Sequence, residues 1–555
     1  MKEKLLILCI LCSIFFTVSA QEKLVITADR SIYIGGEDIW FTVMNLDGES
    51  NRFSDLSKVA YIELLNAANV PVIQEKVYFH NGTATSQISI PDSVSTGNYL
   101  LRAYTKWMTN FSADTYEHVI ISIVNPFANN SLPAFKADTI SEKSTEQKSL
   151  TSSVVKGLQK NYKNRQQVAL SIDLQEKDWQ HLNVSIIKSC LYHPVDRLKS
   201  ESHYLKEIEE ESIKIPEHRG EIIKGRITNI QSGLPIVNEK MMLSFVGQNP
   251  VLKFSVTDST GGFLFEVNRF GEQEMVIQPY SSDTTKLNYK VTLEDAYSGK
   301  YSESKLPDLV LDSATVKEIN SAIVNMQIKT IYSAHRPNIA TADSIEKMEA
   351  FYGEPENTVL IGRYIDLPTT EEVIREIVPS VFLRKSDGEY YVKVYEDKSM
   401  YPREGKTMTF VDGVPVNDFK RILNISPEYL ERIEVLNLNY YYGDENLGRL
   451  LLFFTQDNDM GNMEFDHRIF RQAYKGYLYN YQYRNPDYSR EEGMKSRLAD
   501  YRNLLYYASY SDLDDTKQVD FEFTTGDDVS DYTIIMTGIN EKGQKETVSE
   551  SFRVE

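Results

Sequence analysis

Cysteine is scarce in this chain of 555 residues, which contains three of them. Cys9 and Cys12 lie within the first 20 residues, and Cys190 stands alone in the rest of the chain. Neither Cys9 nor Cys12 follows the small residues that a lipid-anchor signal needs, so we expect no lipid anchor. Once the first 20 residues are removed, no disulfide can form within the chain, and its stability must come from core packing.

Long apolar runs and an excess of basic residues are also missing. After residue 20 no stretch reaches about 18 uninterrupted apolar residues, which excludes a membrane-spanning helix. The chain has 60 lysines and arginines against 80 aspartates and glutamates, a net charge of −20. Such an acidic chain is a poor match for nucleic acid or anionic lipid, so neither is expected as its main partner.

Catalytic and cofactor motifs are missing as well. The sequence contains no P-loop, GxGxxG, GxSxG or HExxH. His218-Arg219-Gly220-Glu221 has the H-x-x-E spacing of a zinc site, but so short a match arises by chance and no third ligand lies near it. Cys190 is followed by Leu191-Tyr192-His193 rather than the Gly-Glu-Gln of a thioester, so a buried structural cysteine is predicted. We therefore expect no enzyme activity, no metal and no cofactor.

Two acidic clusters lack the spacing of a calcium loop and are predicted to be solvated turns. They are Asp512/Asp514/Asp515 and Asp527/Asp528/Asp531.

Residues 1–20 have the pattern of a secretory signal peptide. Lys2 and Lys4 precede an apolar region at 5–16, and Val18-Ser19-Ala20 forms a small-residue cleavage site before Gln21. The protein is therefore expected to be exported, in the periplasm or associated with the outer membrane.

Residues 21–127 are predicted to form a β-sandwich, because strand-like alternation recurs between turns such as Gly35-Gly36 and Asn81-Gly82. The segments YIGGEDIWF at 33–41, SKVAYIEL at 57–64 and TGNYLLRAYTKWMTNF at 96–111 are similar to the macroglobulin-like domain of exported Bacteroidetes proteins. The polar stretch 128–155 is predicted to be a linker, and 156–218 a small β domain.

Residues 219–302 are predicted to form a further β domain. A strand at 222–230, the turn Ser232-Gly233-Leu234-Pro235 and VTDSTGGFLF at 256–265 resemble the carboxypeptidase regulatory-like domain. A helical connector is predicted at 303–335, where apolar residues recur at helical spacing behind Ser313.

The stretch 407–455 predicts an α/β domain, which we place at 336–460. An apolar run ends at the Asp412-Gly413 turn, Ser426-Pro427-Glu428 has the features of a helix start, and Tyr442-Gly443-Asp444 turns the chain into a buried strand. This order resembles the plug domain of TonB-dependent receptors, with Arg449 in place of the second glycine of the usual pair.

About a hundred residues follow this stretch, too few for a receptor barrel of 22 strands at roughly ten residues each. Residues 461–555 are instead predicted to be a tyrosine-rich segment and a C-terminal β-sandwich-like domain. The fold class is therefore mainly β and multidomain, with serial Ig-like or macroglobulin-like sandwiches and one α/β plug-like domain.

The predicted protein-binding residues are Tyr440, Tyr441, Tyr442 and Gly443, at an exposed hairpin. Tyrosine is enriched at interfaces, although it is also a favoured strand residue and packing explains most of the 35 tyrosines. The resemblances imply a non-enzymatic cell-envelope protein that binds other envelope proteins, with an outer-membrane barrel protein or an outer-membrane transport or assembly complex among the candidate partners. The alternative is a macroglobulin-type protease trap or a surface adhesin.

Overall fold

The computed structural model describes residues 22–127, 154–193, 213–280, 288–302, 305–311, 313–332, 340–342, 350–364, 367–386, 388–395, 406–466, 468–488, 497–513 and 516–555. The predicted signal peptide and nearly all of the predicted linker lie outside these ranges. The chain divides into two compact units. The first contains 1–220, 297–343 and 477–555, and the second contains 221–296 and 344–476.

The N-terminal part of the first unit is a sandwich of two sheets, which we call the first sandwich. One sheet has the order β1-β3-β6 and the other β2-β8-β7-β4-β5. The predicted tight turn between β5 and β6 is present, with positive φ at Asn81 and Gly82. The strands are β1 (Glu22–Ala28), β2 (Ile32–Ile34), β3 (Asp38–Asp47), β4 (Val59–Leu65), β5 (Pro71–Tyr78), β6 (Thr83–Ser89), β7 (Gly97–Tyr104) and β8 (Glu117–Val124).

Arg102 on β7 is fully buried and fixes a neighbouring segment on the first sandwich. Its Nε donates to Glu63 Oε2 at 2.7 Å, and its Nη atoms donate to the carbonyls of Lys300 and Ser298 at 2.7 and 2.9 Å. Asn110 Nδ2 similarly donates to the Lys214 carbonyl at 2.8 Å. The segments around 214 and 298–300 are therefore both bound to this sandwich.

A second sandwich begins with β9 (Val155–Lys156), β10 (Asn161–Tyr162), β11 (Gln167–Asp173) and β12 (Trp179–Lys188). These strands do not form a closed domain by themselves, because β11 and β12 belong to different sheets. Their remaining partners come from the C-terminal end of the chain.

The second unit begins with two sheets, in the orders β16-β13-β18 and β15-β14-β17-β27, where β27 is Phe470–Lys475. Their facing side chains form one core that includes Ile227, Leu243, Phe265 and Ile277. The strands are β13 (Glu221–Asn229), β14 (Lys240–Phe245), β15 (Leu252–Val256), β16 (Gly262–Val267), β17 (Glu272–Pro279) and β18 (Tyr289–Leu293).

Helix α1 (Ser313–Tyr332) lies in the first unit, where the sequence predicts the helical connector. Ile319, Ala322 and Met326 on its buried face pack with Trp40 of the first sandwich and Ile187 of the second. Among the described residues, no helix is both long and apolar enough to cross a membrane. The short strand β19 (Ala340–Ala342) follows α1.

The rest of the second unit is an α/β sheet of the order β20-β25-β26-β23-β24, in which β23 and β26 are parallel. The predicted turn at Asp412 is fixed by its carboxylate, which accepts hydrogen bonds from Thr455 N, Thr455 Oγ1 and Met460 N at 2.6–2.9 Å. The elements are β20 (Asn357–Leu360), α2 (Thr370–Ile377), β21 (Val381–Ser386), β22 (Glu389–Val394), β23 (Thr407–Val411), β24 (Val414–Pro415), α3 (Phe419–Leu423), β25 (Leu430–Tyr442) and β26 (Glu445–Thr455).

The helix starts follow the sequence signals in part. Thr369 caps α2 as predicted, with its hydroxyl accepting a hydrogen bond from Glu372 N at 3.2 Å. The start at Ser426 leads only to a short 3-10 segment. The 3-10 segments are Met108–Asn110, Ala113–Thr115, Ser189–Leu191, Ile361–Arg363, Pro427–Tyr429 and Met460–Asn462.

Residues 461–555 do not form a separate C-terminal domain, which corrects the sequence prediction. β27 (Phe470–Lys475) pairs with β17 in the second unit. β28 (Tyr481–Tyr483) pairs with β19. The last strands complete the second sandwich, in which one sheet has the order β10-β32-β31-β12-β29 and the other β30-β11-β9. These strands are β29 (Leu504–Tyr510), β30 (Gln518–Thr524), β31 (Asp531–Asn540) and β32 (Lys545–Val554).

The predicted small β domain at 156–218 is therefore half of a sandwich whose other half lies in the last 52 residues, from Leu504 to Glu555. Alternation of apolar and polar residues identifies a strand but not the strand it pairs with. The sequence therefore predicted the two halves of this sandwich as two separate domains.

Buried polar side chains connect the parts of the first unit. We call one chain of hydrogen bonds and ion pairs the buried polar network. Its successive pairs are Arg30–Glu37 at 2.9 Å, Glu37–Asn503 at 2.8 Å, Asn503–Asn325 at 3.2 Å, Asn325–Asp528 at 2.8 Å and Asp528–Lys188 at 2.7 Å. Asp528 is buried, which corrects the prediction of a solvated acidic turn at this position.

Asp29 lies beside this network and is also fully buried. Its Oδ1 accepts hydrogen bonds from the Tyr33 hydroxyl at 2.7 Å and from Trp40 N at 3.0 Å, and Arg30 Nη1 lies 3.4 Å from its Oδ2. Burial raises the pKa of Asp29 to about 6, because desolvation outweighs the attraction of Arg30 and the two hydrogen bonds.

We expect Gly538→Ala to lower the free energy of unfolding by about 3 kcal/mol. A Cβ atom at Gly538 would lie 2.0 Å from the ring of Trp179, which is buried. Gly299→Ala is the control, because its Cβ would meet no atom within 4 Å, and we expect a change of less than about 0.5 kcal/mol. Denaturant unfolding measures both, and equal effects of the two substitutions would contradict the packing.

The second prediction concerns pH. Because the pKa of Asp29 is raised on folding from 3.8 to about 6, its contribution to stability is complete below pH 4 and is lost as pH rises through 6. Between pH 4 and pH 7 the free energy of unfolding of the wild type should fall relative to Asp29→Asn by about 3 kcal/mol. The prediction would be contradicted if the free energy of unfolding of the two proteins changed with pH in the same way.

Candidate protein-binding surface

The strands β25 and β26 form a long hairpin that ends at Gly443, where φ is +59°. β20 pairs with β25 along 432–435, and β23 pairs with β26 along 449–453. Residues 437–448 extend past these pairings, and we call them the hairpin tip. The tip contains all four residues that the sequence predicts to bind protein.

A bulge gives the tip its shape. Three residues of β25, 437–439, lie opposite one residue of β26, Arg449. Asn437 N donates to Glu356 Oε2 at 3.0 Å, and the buried Arg449 donates from Nε to the Asn437 carbonyl at 2.9 Å. Because the bulge is held on both sides, Leu438 points outward with 52% of its surface exposed.

The three tyrosines of the tip have different environments. The Tyr440 hydroxyl donates to the Phe351 carbonyl, and the rings of Tyr440 and Tyr442 lie 5.7 and 5.8 Å from that of Phe351. Burial raises the pKa of both tyrosines. Tyr441, in contrast, is 61% exposed, and its hydroxyl accepts a hydrogen bond from Asn446 at 3.5 Å. Of the predicted tyrosines, Tyr441 is therefore the most accessible to a partner, while Tyr440 and Tyr442 are half-buried.

The departure of Arg449 from the plug pattern has a local explanation. The preceding Gly448 has φ of +74°, and a Cβ there would lie 2.0 Å from the Lys406 carbonyl oxygen. Glycine is thus required at 448 but not at 449, where the side chain is used to hold the bulge. Arg449 N also donates to the Lys406 carbonyl at 2.9 Å.

The residues weighed as metal ligands or nucleophiles have the following surroundings. No group of three histidine, cysteine, aspartate or glutamate side chains among them could hold a metal ion. Glu221 of the H-x-x-E motif accepts a hydrogen bond from the Tyr474 hydroxyl at 2.5 Å. Cys190 is buried as predicted, and burial raises its pKa to about 12, which keeps it a thiol.

No family profile and no curated protein matches this sequence. Solved structures do. The chain is similar to alpha-2-macroglobulin from Escherichia coli.

This chain is 8% identical to the E. coli alpha-2-macroglobulin activated by porcine elastase. The TM-score is 0.23, and the match covers 96% of this chain and 44% of that protein. With the native conformation it shares 8% identity and a TM-score of 0.24, over 97% of this chain and 40% of that one. This chain therefore spans less than half the length of these proteins, and at such scores the likeness carries no argument about function. The predicted fold class, mainly β with several sheets, is confirmed by the strands themselves.

We expect Tyr441→Ser to change the free energy of unfolding by less than about 0.5 kcal/mol, because its side chain is exposed. Tyr440→Ser should cost more than about 2 kcal/mol, since it removes ring packing and leaves the Phe351 carbonyl without its donor. Denaturant unfolding distinguishes the two, and an equal loss in both variants would place Tyr441 in the core.

Proposed function

We propose that this chain is a non-enzymatic cell-envelope protein that binds other envelope proteins through the hairpin tip. One observation supports this most directly. Leu438 and Tyr441 expose 52% and 61% of their surfaces on a tip that is anchored at Asn437 and Tyr440. Aromatic side chains are enriched at protein interfaces, and a fixed backbone presents them without further ordering.

The rigidity of the tip favours binding. Asn437 is held by Glu356 and Arg449, and Tyr440 is held by Phe351. A partner that contacts Leu438 and Tyr441 would therefore not have to order the strand that carries them, and the entropy cost of association falls accordingly. Tyrosine adds a polar hydroxyl to its large apolar area, which suits a surface that is wet when unbound.

The cellular compartment in this proposal comes from the predicted signal peptide at 1–20. The partner class follows from the resemblance of 336–460 to a receptor plug domain, which implies an outer-membrane barrel protein or a transport or assembly complex. The alternative is a macroglobulin-type protease trap or a surface adhesin. The trap is weakened because Cys190 is followed by Leu191-Tyr192-His193 rather than by the Gly-Glu-Gln of a thioester.

The experiment is capture from detergent-solubilised outer membranes with three immobilised proteins. These are the wild type, the double variant Leu438→Ser/Tyr441→Ser and the control Tyr391→Ser, whose ring on β22 is 53% exposed. We expect one outer-membrane protein to bind the wild type and the control. The double variant should bind it at least about tenfold more weakly, because the loss of a hot spot costs about 2 kcal/mol or more.

Equal capture by the double variant would show that the interface lies outside the hairpin tip. A captured protein that is soluble, or that the control loses as well, would contradict the proposed partner class.

A further inference from the structure

The second sandwich has an open groove on one side, far along the chain from the hairpin tip. It has a volume of about 750 Å³ and lies where the edge strands β29 and β30 of the two sheets meet. Its floor is aromatic: Tyr506 and Phe521 belong to the buried core of the sandwich, and the partly buried Tyr510 packs beside them. The rings of Tyr506 and Phe521 are 5.3 Å apart, and the hydroxyls of Tyr506 and Tyr510 are 2.7 Å apart.

β29 presents an unpaired backbone edge beside this groove. It pairs with β12 on one side and with no further strand in the part of the chain that the structure describes. Its first residues are covered, because the Tyr483 hydroxyl donates to the Leu504 carbonyl and Arg502 Nη1 to the Leu505 carbonyl, at 2.7 and 3.3 Å. From Tyr506 to Tyr510 no described strand pairs with this edge, and unpaired edges are the usual templates for strand addition.

Two carboxylates line the same groove. Asp520 and Glu522 lie two residues apart on the exposed face of β30. Asp520 accepts hydrogen bonds from Ser171 Oγ and from Gln518 Nε2, and Glu522 accepts one from Gln167 Nε2 at 2.8 Å. Within the described residues neither forms an ion pair with lysine or arginine. Lys156 also lines the groove, but its Nζ pairs with Asp173 Oδ2 at 2.6 Å, so the charges of Asp520 and Glu522 are available to a cationic group.

The occupant of the groove follows from these charges. A second copy of this chain would bring its own Asp520 and Glu522 to the edge, and its net charge of −20 would add to the repulsion. A segment of another protein that carries a lysine or arginine has the opposite charge. An extended backbone matches the open edge, and small apolar side chains match the aromatic surface.

We propose that this groove binds an extended segment of a protein partner, which adds to β29 as a strand and places a lysine or arginine against Asp520 and Glu522. This surface is separate from the hairpin tip. Its occupant is defined by backbone pairing and charge rather than by contact with Leu438 and Tyr441, so it goes beyond the proposed function.

The probe is an eleven-residue blocked peptide of alternating valine and threonine with one central lysine, titrated into the full chain by calorimetry. We expect binding that weakens with salt, and at least about tenfold weaker binding when the lysine is replaced by glutamate. Asp520→Asn/Glu522→Gln should weaken the lysine peptide similarly. Glu541→Gln, an exposed acid in the turn between β31 and β32, is the matched control and should have no effect.

Two further peptides test strand addition directly. One carries N-methyl groups on the odd amides and the other on the even amides. Because the two sets of amides in a strand point in opposite directions, one methylated peptide should lose binding and the other should keep it.

Absence of binding at 1 mM, equal binding of the lysine and glutamate peptides, or equal loss with both methylated peptides would each overturn the proposal. So would a dimer in sedimentation that Asp520→Asn/Glu522→Gln strengthens, since the edge would then pair with a second copy. Leu438→Ser/Tyr441→Ser should bind the lysine peptide normally, which separates this result from the outcome at the hairpin tip.

Discussion

The pairing of buried charges constrains the first unit more than any other interaction. Removing Lys188 and Asp528 from water is costly, and the cost is offset only while each keeps its partner. Asn325 of α1 and Asn503 continue the buried polar network to Glu37 and Arg30 of the first sandwich. The network therefore has one arrangement in which every charge is paired, and that arrangement fixes both sandwiches and α1 together.

A purely apolar contact among these elements would define their positions less strictly. Ile319, Ala322 and Met326 of α1 could slide along Trp40 and Ile187 and still remain buried. Hydrogen bonds from Asn325 do not permit such a slide, because both of its partners would lose a donor. We infer that the apolar cluster supplies most of the stability and that the polar network supplies the register.

Local features of the fold could be predicted from the sequence because local physics determines them. The Asn81-Gly82 and Asp412-Gly413 turns, the Thr369 cap and the start of α1 at Ser313 all depend on a few adjacent residues. The pairing of β12 with β31 depends on residues at opposite ends of the chain, and nothing in either strand identifies the other. The buried Asp528 was missed for the same reason, since its partners Lys188 and Asn325 are distant in sequence.

At the hairpin tip, too, the local features could be predicted from the sequence and the distant contacts could not. The turn at Gly443 and a tyrosine-rich surface could be predicted, but the sequence does not show which tyrosine packs against Phe351 and which is exposed. Leu438 was missed because simple alternation runs through it. The flanking Asn437 and Asn439 gave no warning, since polar residues on both sides of an apolar one are ordinary strand alternation.

The order of the strands also limits when the first unit can fold. β12 lies between β31 and β29, so both of its neighbours come from the last 52 residues. Until those residues are present, β12 is without its neighbours, and Lys188 at its end lacks Asp528. Pairings of such sequence separation form slowly, because the cost of closing the loop precedes the gain from contacts. The second sandwich and the buried polar network must therefore form together and late, after the first sandwich has all of its own strands. A chain that crosses a membrane unfolded, as the predicted signal peptide implies, meets this requirement, since no closed second sandwich can form before its C-terminal end has followed.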